Sequence, residues 1–322
     1  MSVSVITPMY NEALNIERCY LTLCQQKNMK FEWVVIDDGS TDMSTDILRN
    51  LMAAHDNENF TITLIEQKNA GAAAARQTGI ACCKFDIITI LDADDKFSED
   101  ALAKAFAKVT ESVDIVCYKV KFTDNYHNHL SDFKYKPHVW PILGRMAFSE
   151  CIDGWGLAGW FMIKKSIVLQ AYKYVNSLGA DSSINLDELV SRLCMFYAQN
   201  IEICDGVYFY YQNPNSTTNK INQNYYKVIW TALELNKFII SQNNPDWHVK
   251  SQRNLLSTTW GVYIRYIKWR STISNSQEWL VSLHKSSNEI NILLLLKGNM
   301  EIKQRAKIYI KILLTIYLRS KF

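Results

Sequence analysis

Apolar residues in the first 120 positions fall into two alternating patterns. Val3–Thr7, Phe31–Ile36, Phe60–Ile65 and Ile87–Leu91 are short, nearly continuous and rich in β-branched side chains. Such runs predict buried strands of a parallel sheet. Between them the apolar spacing lengthens to three and four. Leu14, Cys19, Leu21 and Leu23 predict a helix to about Gln26, and Ser40, Thr41 or Asp42 caps another to about Ala53. An alanine-rich helix covers Ala72–Cys83, and a further helix, Ser98 to about Val109, precedes a strand over Val113–Phe122. This alternation predicts βαβ units, a parallel sheet and right-handed crossovers.

Residues 123–154 read as a long loop with little fixed pattern, holding His127, His129, His138, Pro137 and Pro141. Helices follow from about Ser166 and over Leu186–Gln199. Ile201–Cys204 and Val207–Tyr211 read as two short strands joined by an Asp205-Gly206 hairpin turn. The turn-rich segment Asn213–Asn219 marks a boundary, and beyond Asn222 the pattern is wholly helical. The expected organisation is an α/β domain over 1–220, with halves 1–110 and 111–220, and a helical domain over 221–322.

Composition adds little to this in general and something in one place. The 322 residues are 48% hydrophobic and 21% charged, and a net charge of +3 makes no case for nucleic acid. The basicity is local. Within 301–322, Lys303, Arg305, Lys307, Lys311, Arg319 and Lys321 face Glu301 alone. Lys303, Lys307, Lys311, Thr315 and Arg319 recur every four residues, with Ile308, Ile312, Leu313, Ile316 and Tyr317 filling the rest. This predicts a basic amphipathic helix that lies on an anionic membrane surface, or a terminal helix packed on the core with a solvated lysine face. The eight cysteines form no C-x-x-C and read as reduced core residues of a cytoplasmic protein. Met1–Pro8 has no basic region and no long apolar core, so no signal peptide is expected. No apolar run reaches the ~18 residues that span a bilayer.

The candidate chemistry gathers at strand ends. Ile87–Leu91 runs into Asp92, Ala93, Asp94 and Asp95. On an extended chain Asp92 and Asp94 point the same way, making a hard-oxygen site for Mg²⁺ or Mn²⁺ with substrate phosphates. Two other strands end in Thr7–Glu12 and Asp37–Asp42, on the same predicted sheet edge. Tyr10 offers a ring to stack on a base or merely to pack. Asp38 serves as acceptor for the N3–H of a pyrimidine base, or Asp37 and Asp38 are only turn and cap residues. Gly71 permits close backbone approach and the helix after it exposes N–H groups, while Arg76 reaches a ligand or solvent. No G-x-x-x-x-G-K-[ST] or G-x-G-x-x-G is present.

Four stretches, in order and spacing, carry a resemblance: Thr7-Pro-Met-Tyr-Asn, Val34-Val-Ile-Asp-Asp-Gly-Ser-Thr-Asp42, Asn69-Ala-Gly with Arg76 and Gly79, and Leu91-Asp-Ala-Asp-Asp95. They resemble the motif series of family 2 glycosyltransferases, tightly over 1–110 and loosely to about 220. The resemblance implies a GT-A fold, a Rossmann-like, mostly parallel sheet flanked by helices. It implies inverting transfer of a sugar from a nucleotide-sugar, usually a UDP-sugar, to a glycan or lipid-linked acceptor in cell-surface polysaccharide synthesis. The positions matching Pro8, Tyr10 and Asp38 hold the nucleoside. Asn69, Arg76 and Asp92 contact the donor, with Ala93 inside the last motif and Glu12 directly after the first, and Asp94 binds Mn²⁺ or Mg²⁺ beside Asp92. The family's catalytic base lies in an acidic pair opening a helix. Here Asp187-Glu188 matches with the order reversed, Glu188 by alignment and Asp187 by residue type. Relatives often carry an arginine within the segment matching Tyr210–Thr217, where Gln212 and Asn213 supply no charge. Trp155 and Trp160 are candidates for an acceptor wall or for core. Two rivals are a nucleotide-sugar-binding assembly protein without the base and a sugar-phosphate nucleotidylyltransferase. The latter wants a glycine-rich basic first loop, which Pro8–Glu12 is not. A cytoplasmic enzyme, at the inner face of the membrane if 301–322 binds there, is the expectation.

Overall fold

The computed structural model describes residues 2–124, 128–179, 184–212, 221–297 and 302–321. Asn213–Asn219 and His127 lie outside the described residues. The chain divides into two compact units: Met1–Phe148, Gly156–Ser182 and Val190–Pro214 form one, and Ser149–Trp155, Ser183–Leu189 and Asn215–Phe322 the other.

In chain order the elements are β1 (Ser2–Met9), α1 (Ile16–Cys24), β2 (Lys30–Asp37), α2 (Ser44–Ala53), β3 (Phe60–Glu66), α3 (Ala72–Cys82), β4 (Ile87–Ile90), β5 (Lys96–Phe97), α4 (Ala101–Phe106), β6 (Val113–Thr123), β7 (His129–Asp132), β8 (Ile142–Leu143) and α5 (Gly144–Cys151). β9 (Phe161–Lys164), α6 (Lys165–Ser177), α7 (Leu186–Tyr197) and β10 (Asn200–Tyr211) follow. The helical run is α8 (Val228–Ser241), α9 (Pro245–Trp269), α10 (Ser276–Glu289), α11 (Ile292–Lys297) and α12 (Ile302–Lys321).

The sheet has the order β3-β2-β1-β4-β9-β6-β10-β5, with β7 on β6 and β8 on β10. Its first part is parallel, as the continuous apolar runs require: β1 pairs with β2 and β4, and β2 with β3. The remainder is mixed. β9 enters antiparallel between β4 and β6, so strand and helix do not alternate throughout. The predicted hairpin over 201–211 is a single strand, β10, running parallel to β6 with a register shift between Ile203 and Val207. Asp205-Gly206 is therefore a bulge rather than a turn: Gly206 is buried against the Ala101 backbone, where a Cβ would stand 2.8 Å from its Cα. The stretch 123–154 also holds more order than its composition shows, in β7, β8 and α5.

The first unit's core is led by Trp33 and Tyr118, both without solvent exposure, and Trp33 Nε1 donates to Thr7 Oγ1 at 2.8 Å. In the second unit Trp279 is buried among Tyr226, Tyr266 and Trp269. α12 turns Ile312, Leu314 and Leu318 into the core, while along its polar stripe Lys307 and Arg319 are exposed and Lys311 half-buried. Thr315 is buried, Lys311 Nζ donates to Ser257 Oγ at 2.9 Å, and Arg319 Nε donates to Ser287 O at 2.8 Å. Arg319 Nη2 also reaches Ile290 O at 2.5 Å, so it caps the last carbonyls of α10. Tyr309, Ile310, Leu313, Ile316 and Tyr317 are each about half exposed or more. The cysteines are free, most of them buried. Among the described residues no helix is long and apolar enough to cross a membrane.

Candidate active site

Four loops meet at the carboxyl edge of β1, β2, β3 and β4, and short side chains staple them. Asp38 N donates to Met9 O at 2.9 Å. The Asn11 N–H donates to Ser40 Oγ, Glu12 N–H to Ser44 Oγ and Ala13 N–H to Asp42 Oδ2. Asn11 Oδ1 accepts from Thr41 N at 2.8 Å, and Asp37 Oδ1 from Ser40 N at 2.8 Å. Most of the polar residues of Asp37–Asp42 thus fix loop shape, as such residues do in turns. Gly39 sits at φ +77°, and a Cβ there would stand 3.0 Å from Asn69 N, so the loop admits its neighbour only with glycine.

Asp38 is buried and its carboxylate bridges two loops. Oδ1 accepts from Gln67 Nε2 (2.7 Å) and Ala70 N (2.9 Å), and Oδ2 from Gly71 N (2.7 Å). Three N–H donors leave roughly one of about four lone-pair positions for a further partner. Gly71, at φ +89°, opens α3 with nothing within 4 Å of the place a Cβ would take. That open space beside free helix-start N–H groups suits an anionic ligand. Tyr10 is 48% exposed, Asn69 is exposed and Pro8 half-buried, all at the same edge.

Asp92–Asp95 is a turn rather than extended chain, closed by Asp95 N donating to Asp92 O at 3.0 Å. Burial still alternates. Ala93 and Asp95 are inside, while Asp92 and Asp94 are half-exposed. Arg76, from the second turn of α3, donates Nη2 to Asp92 Oδ1 at 2.9 Å with both side chains mostly buried. Asp95 anchors the turn to β10: Oδ2 accepts from Tyr208 OH at 2.6 Å and Oδ1 from Tyr211 N at 2.8 Å.

The carboxylates repel. Burial, then the charges of Asp94 and Asp92, hold the Asp95 carboxyl well above its ordinary range. Burial pushes Glu12 up to about 7, with Asp94, Asp92 and Asp42 adding to the rise and a hydrogen bond from Asn15 opposing it. A cation relieves such a cluster. The donor set is carboxylate oxygen alone, which Mg²⁺ and Mn²⁺ favour. Among the described residues no three acidic, histidine or cysteine side chains converge to hold an ion by themselves. Asp92 and Asp94 would give only part of a shell, which these ions can complete with phosphates and water. The residues fit the ion.

Arg18 escaped the sequence reading. Its guanidinium lies 4.3 Å from the centroid of the Tyr211 ring and donates to Asp94 O, while its Nε is buried without a hydrogen-bond partner among the described residues. It puts a cation beside Asp94 across 76 residues of sequence, and no local pattern marks it. Trp160 packs half-buried at 5.5 Å from Tyr208 and 5.1 Å from Tyr210, ring centre to ring centre. Asp187 and Glu188 belong to the second compact unit. They occupy the first turn of α7, where Glu188 Oε1 accepts from Asn185 Nδ2 at 3.1 Å and Asp187 is exposed. Trp155 lies in that unit as well.

The chain is similar in part to known proteins. Residues 4–151 match the family described as Glycosyl transferase family 2. Glycosyltransferase AglE of Haloferax volcanii is 37% identical over 124 residues, 38% of this chain and only 40% of AglE's own length. Residues 1–349 of Staphylococcus aureus TarS, solved with UDP-GlcNAc, superpose with a TM-score of 0.65 at 15% identity, over 91% of this chain and 83% of that one. The mannosyltransferase PcManGT of Pyrobaculum calidifontis, solved with GDP-Man and Mn²⁺, gives 0.53 at 17% identity over 98% and 86%. The fold is GT-A, with a helical C-terminal region.

Proposed function

We propose that this chain, whose residues 4–151 match glycosyl transferase family 2, moves a sugar, with inversion, from a UDP-sugar to a hydroxyl of a glycan or lipid-linked acceptor in cell-surface polysaccharide synthesis. One observation carries the reading. Asp92 and Asp94 stand outward on a turn held by Arg76, Arg18 and Asp95, at the sheet edge where Asp38 and Gly71 leave open space.

Tyr10 stacks on the base, and the remaining acceptor position of Asp38 takes its N–H. Pro8 and Glu12 shape that pocket, Asn69 and the N–H groups opening α3 bind the diphosphate, and Ala93 keeps Asp92 and Asp94 directed at it. Asp94, with Asp92, would hold Mn²⁺ or Mg²⁺, which when bound supplies neutralisation of the leaving diphosphate. Arg76 adds charge there, and Arg18 serves for the arginine that Gln212 does not provide. Glu188 takes the proton of the acceptor hydroxyl as the sugar bond to the diphosphate breaks, with Asp187 the alternative base. A transition state with oxocarbenium character is served by this arrangement.

The C-terminal helix belongs to the same proposal. Its outward face is apolar at Tyr309, Leu313, Ile316 and Tyr317, so we place this face, with lysines at its rim, in contact with the membrane interface near lipid-linked acceptors. Flotation of the full chain with anionic liposomes, compared with Leu313→Asp/Ile316→Asp, tests it; equal flotation removes the contact.

The central test is release of UDP from UDP-sugars with Mn²⁺ by the wild type, Glu188→Gln and Asp187→Asn. Loss of turnover in the first with donor binding kept supports Glu188. The same loss in the second alone moves the base to Asp187, and turnover unchanged in both removes the acidic pair from the mechanism.

A further inference from the structure

A second concavity, with lysines at an otherwise largely apolar lining, stands beside this edge. The register of β5, β10, β6 and β7 sets Lys96, Phe209 and Lys121 in one cross-strand row, and Tyr211, Thr123 and His129 in the next. These six side chains line a cavity of about 260 Å³. Lys96 and Lys121 flank Phe209 from the two neighbouring strands, roughly 10 Å apart at the backbone from strand spacing, so both ammonium groups can lean over one ring.

Among the described residues no carboxylate compensates their charges. Both lysines are half-buried, and among the described residues neither has a hydrogen-bond or ion-pair partner. Lysines nearby on the same sheet behave differently: Lys119 meets Asp205 at 2.5 Å and Lys164 meets Asp114 at 2.7 Å. Asp132 is the cross-strand neighbour of Lys121, but its carboxylate lies 3.5 Å from His129 Nε2 instead. Two partly desolvated ammonium groups without a counter-ion are unfavourable unless an anion is supplied. The ring beneath them suits the C–H face of a sugar.

The cavity abuts the acidic turn. Lys96 follows Asp94 by two residues, and the Tyr211 backbone donates to Asp95. We propose that this cavity binds a phosphate ester of the acceptor, with the phosphate between Lys96 and Lys121 and the attached sugar over Phe209. Its role as an acceptor subsite rests on the glycosyltransferase reading; phosphate binding itself rests on the cavity alone.

The test is calorimetric titration of glucose 1-phosphate into the full chain with UDP and Mn²⁺ present, so that the donor site is filled. Inorganic phosphate and glucose are titrated alongside, into wild type, Lys96→Gln/Lys121→Gln and Phe209→Ala. We expect the double variant to bind glucose 1-phosphate about a hundredfold more weakly, tenfold per charge-assisted contact, with UDP affinity and melting temperature unchanged. Phe209→Ala should lower glucose 1-phosphate affinity to that of inorganic phosphate. Equal affinity in wild type and double variant overturns the site. Inorganic phosphate bound as tightly as glucose 1-phosphate by the wild type overturns the sugar contact. Failure of UDP to bind, with lysine-dependent phosphate binding retained, strikes the transferase reading and not the cavity. Sedimentation with vesicles carrying a polyprenyl-phosphate sugar, in the same variants, separates a lipid-borne phosphate from a free one: lysine-dependent pelleting assigns the first.

Discussion

The loops at the edge of β1, β2 and β4 and the terminal helix α12 solve one problem, the placing of polar side chains, by opposite means. In the loops the polar groups meet backbone N–H groups within their own turn or the adjacent loop, as Asp37, Asp42 and Asp38 do. On α12, Lys311 and Arg319 reach partners on α9 and α10, Thr315 is buried and donates to Lys311 O within its own helix, and Leu313 and Ile316 stay outside. Side chains that answer local backbone demand have one conformation available to them. Side chains on a helix can satisfy either face, and the neighbouring elements choose. Rigidity in the first region also gathers carboxylates, and burial and then their mutual repulsion raise the Asp95 and Glu12 protonation ranges, whereas in the second the like charges are Lys307 and Lys311.

That contrast can be broken most forcefully at Asp94. Asp94→Asn should lower UDP-releasing turnover by about 10³-fold, the scale of losing a main electrostatic stabiliser, with the melting temperature held or raised. Turnover near wild type would show that the stapled loops are only architecture. Next in size, Tyr208→Phe removes the hydroxyl that donates to buried Asp95, and denaturant unfolding should show a loss of about 1–3 kcal/mol.

A third effect depends on pH. Glu12 keeps its proton to about pH 7 in the folded chain, against 4.5 ordinarily. In that window the folded state holds a proton that the unfolded state has released, so stability falls as pH rises from 4.5 to 7. Melting curves should show this decline, worth about 1–2 kcal/mol after discounting for partial exposure. Glu12→Gln should flatten it, and UDP with Mn²⁺ should do the same in wild type; an unchanged slope in both would mean the carboxylates are not coupled. Smallest is the pair on α12. Arg319→Met should cost about 1–2 kcal/mol through the uncapped carbonyls of α10, while Leu313→Gln should stay within about 0.5 kcal/mol. A reversal of these two, by chemical denaturation, would put the helix the other way round.

Much of the proposed donor site was legible because its signals are short-range. The run Ile87–Leu91 into Asp92-Ala-Asp94 needs only a buried strand and its exit. The reason first assigned to their common direction, extended geometry, was replaced by a turn that buries Ala93 and Asp95. Arg76 was one of two equal readings until α3 packed and set it 2.9 Å from Asp92. Asp38 was visible as a carboxylate, but not its three donors from Gln67–Gly71. Arg18 was invisible, since its meaning lies 76 residues away. The hairpin read into Asp205-Gly206 failed because β6 offered β10 a parallel partner along nearly its whole length.

From its residues alone this chain commits to a parallel α/β core, an acidic strand exit, a glycine-opened helix and a following helical region. Each follows from hydrophobic period, turn chemistry or the conformational needs of a few residues, which act over a handful of positions. Folding in three dimensions settles the antiparallel entry of β9, the cation beside Asp94, the partners that Lys311 and Arg319 find on neighbouring helices, and a Lys96 and Lys121 that have no partner among the described residues. Those depend on which distant surfaces bury one another, and burial is a property of the assembled chain rather than of any segment in it.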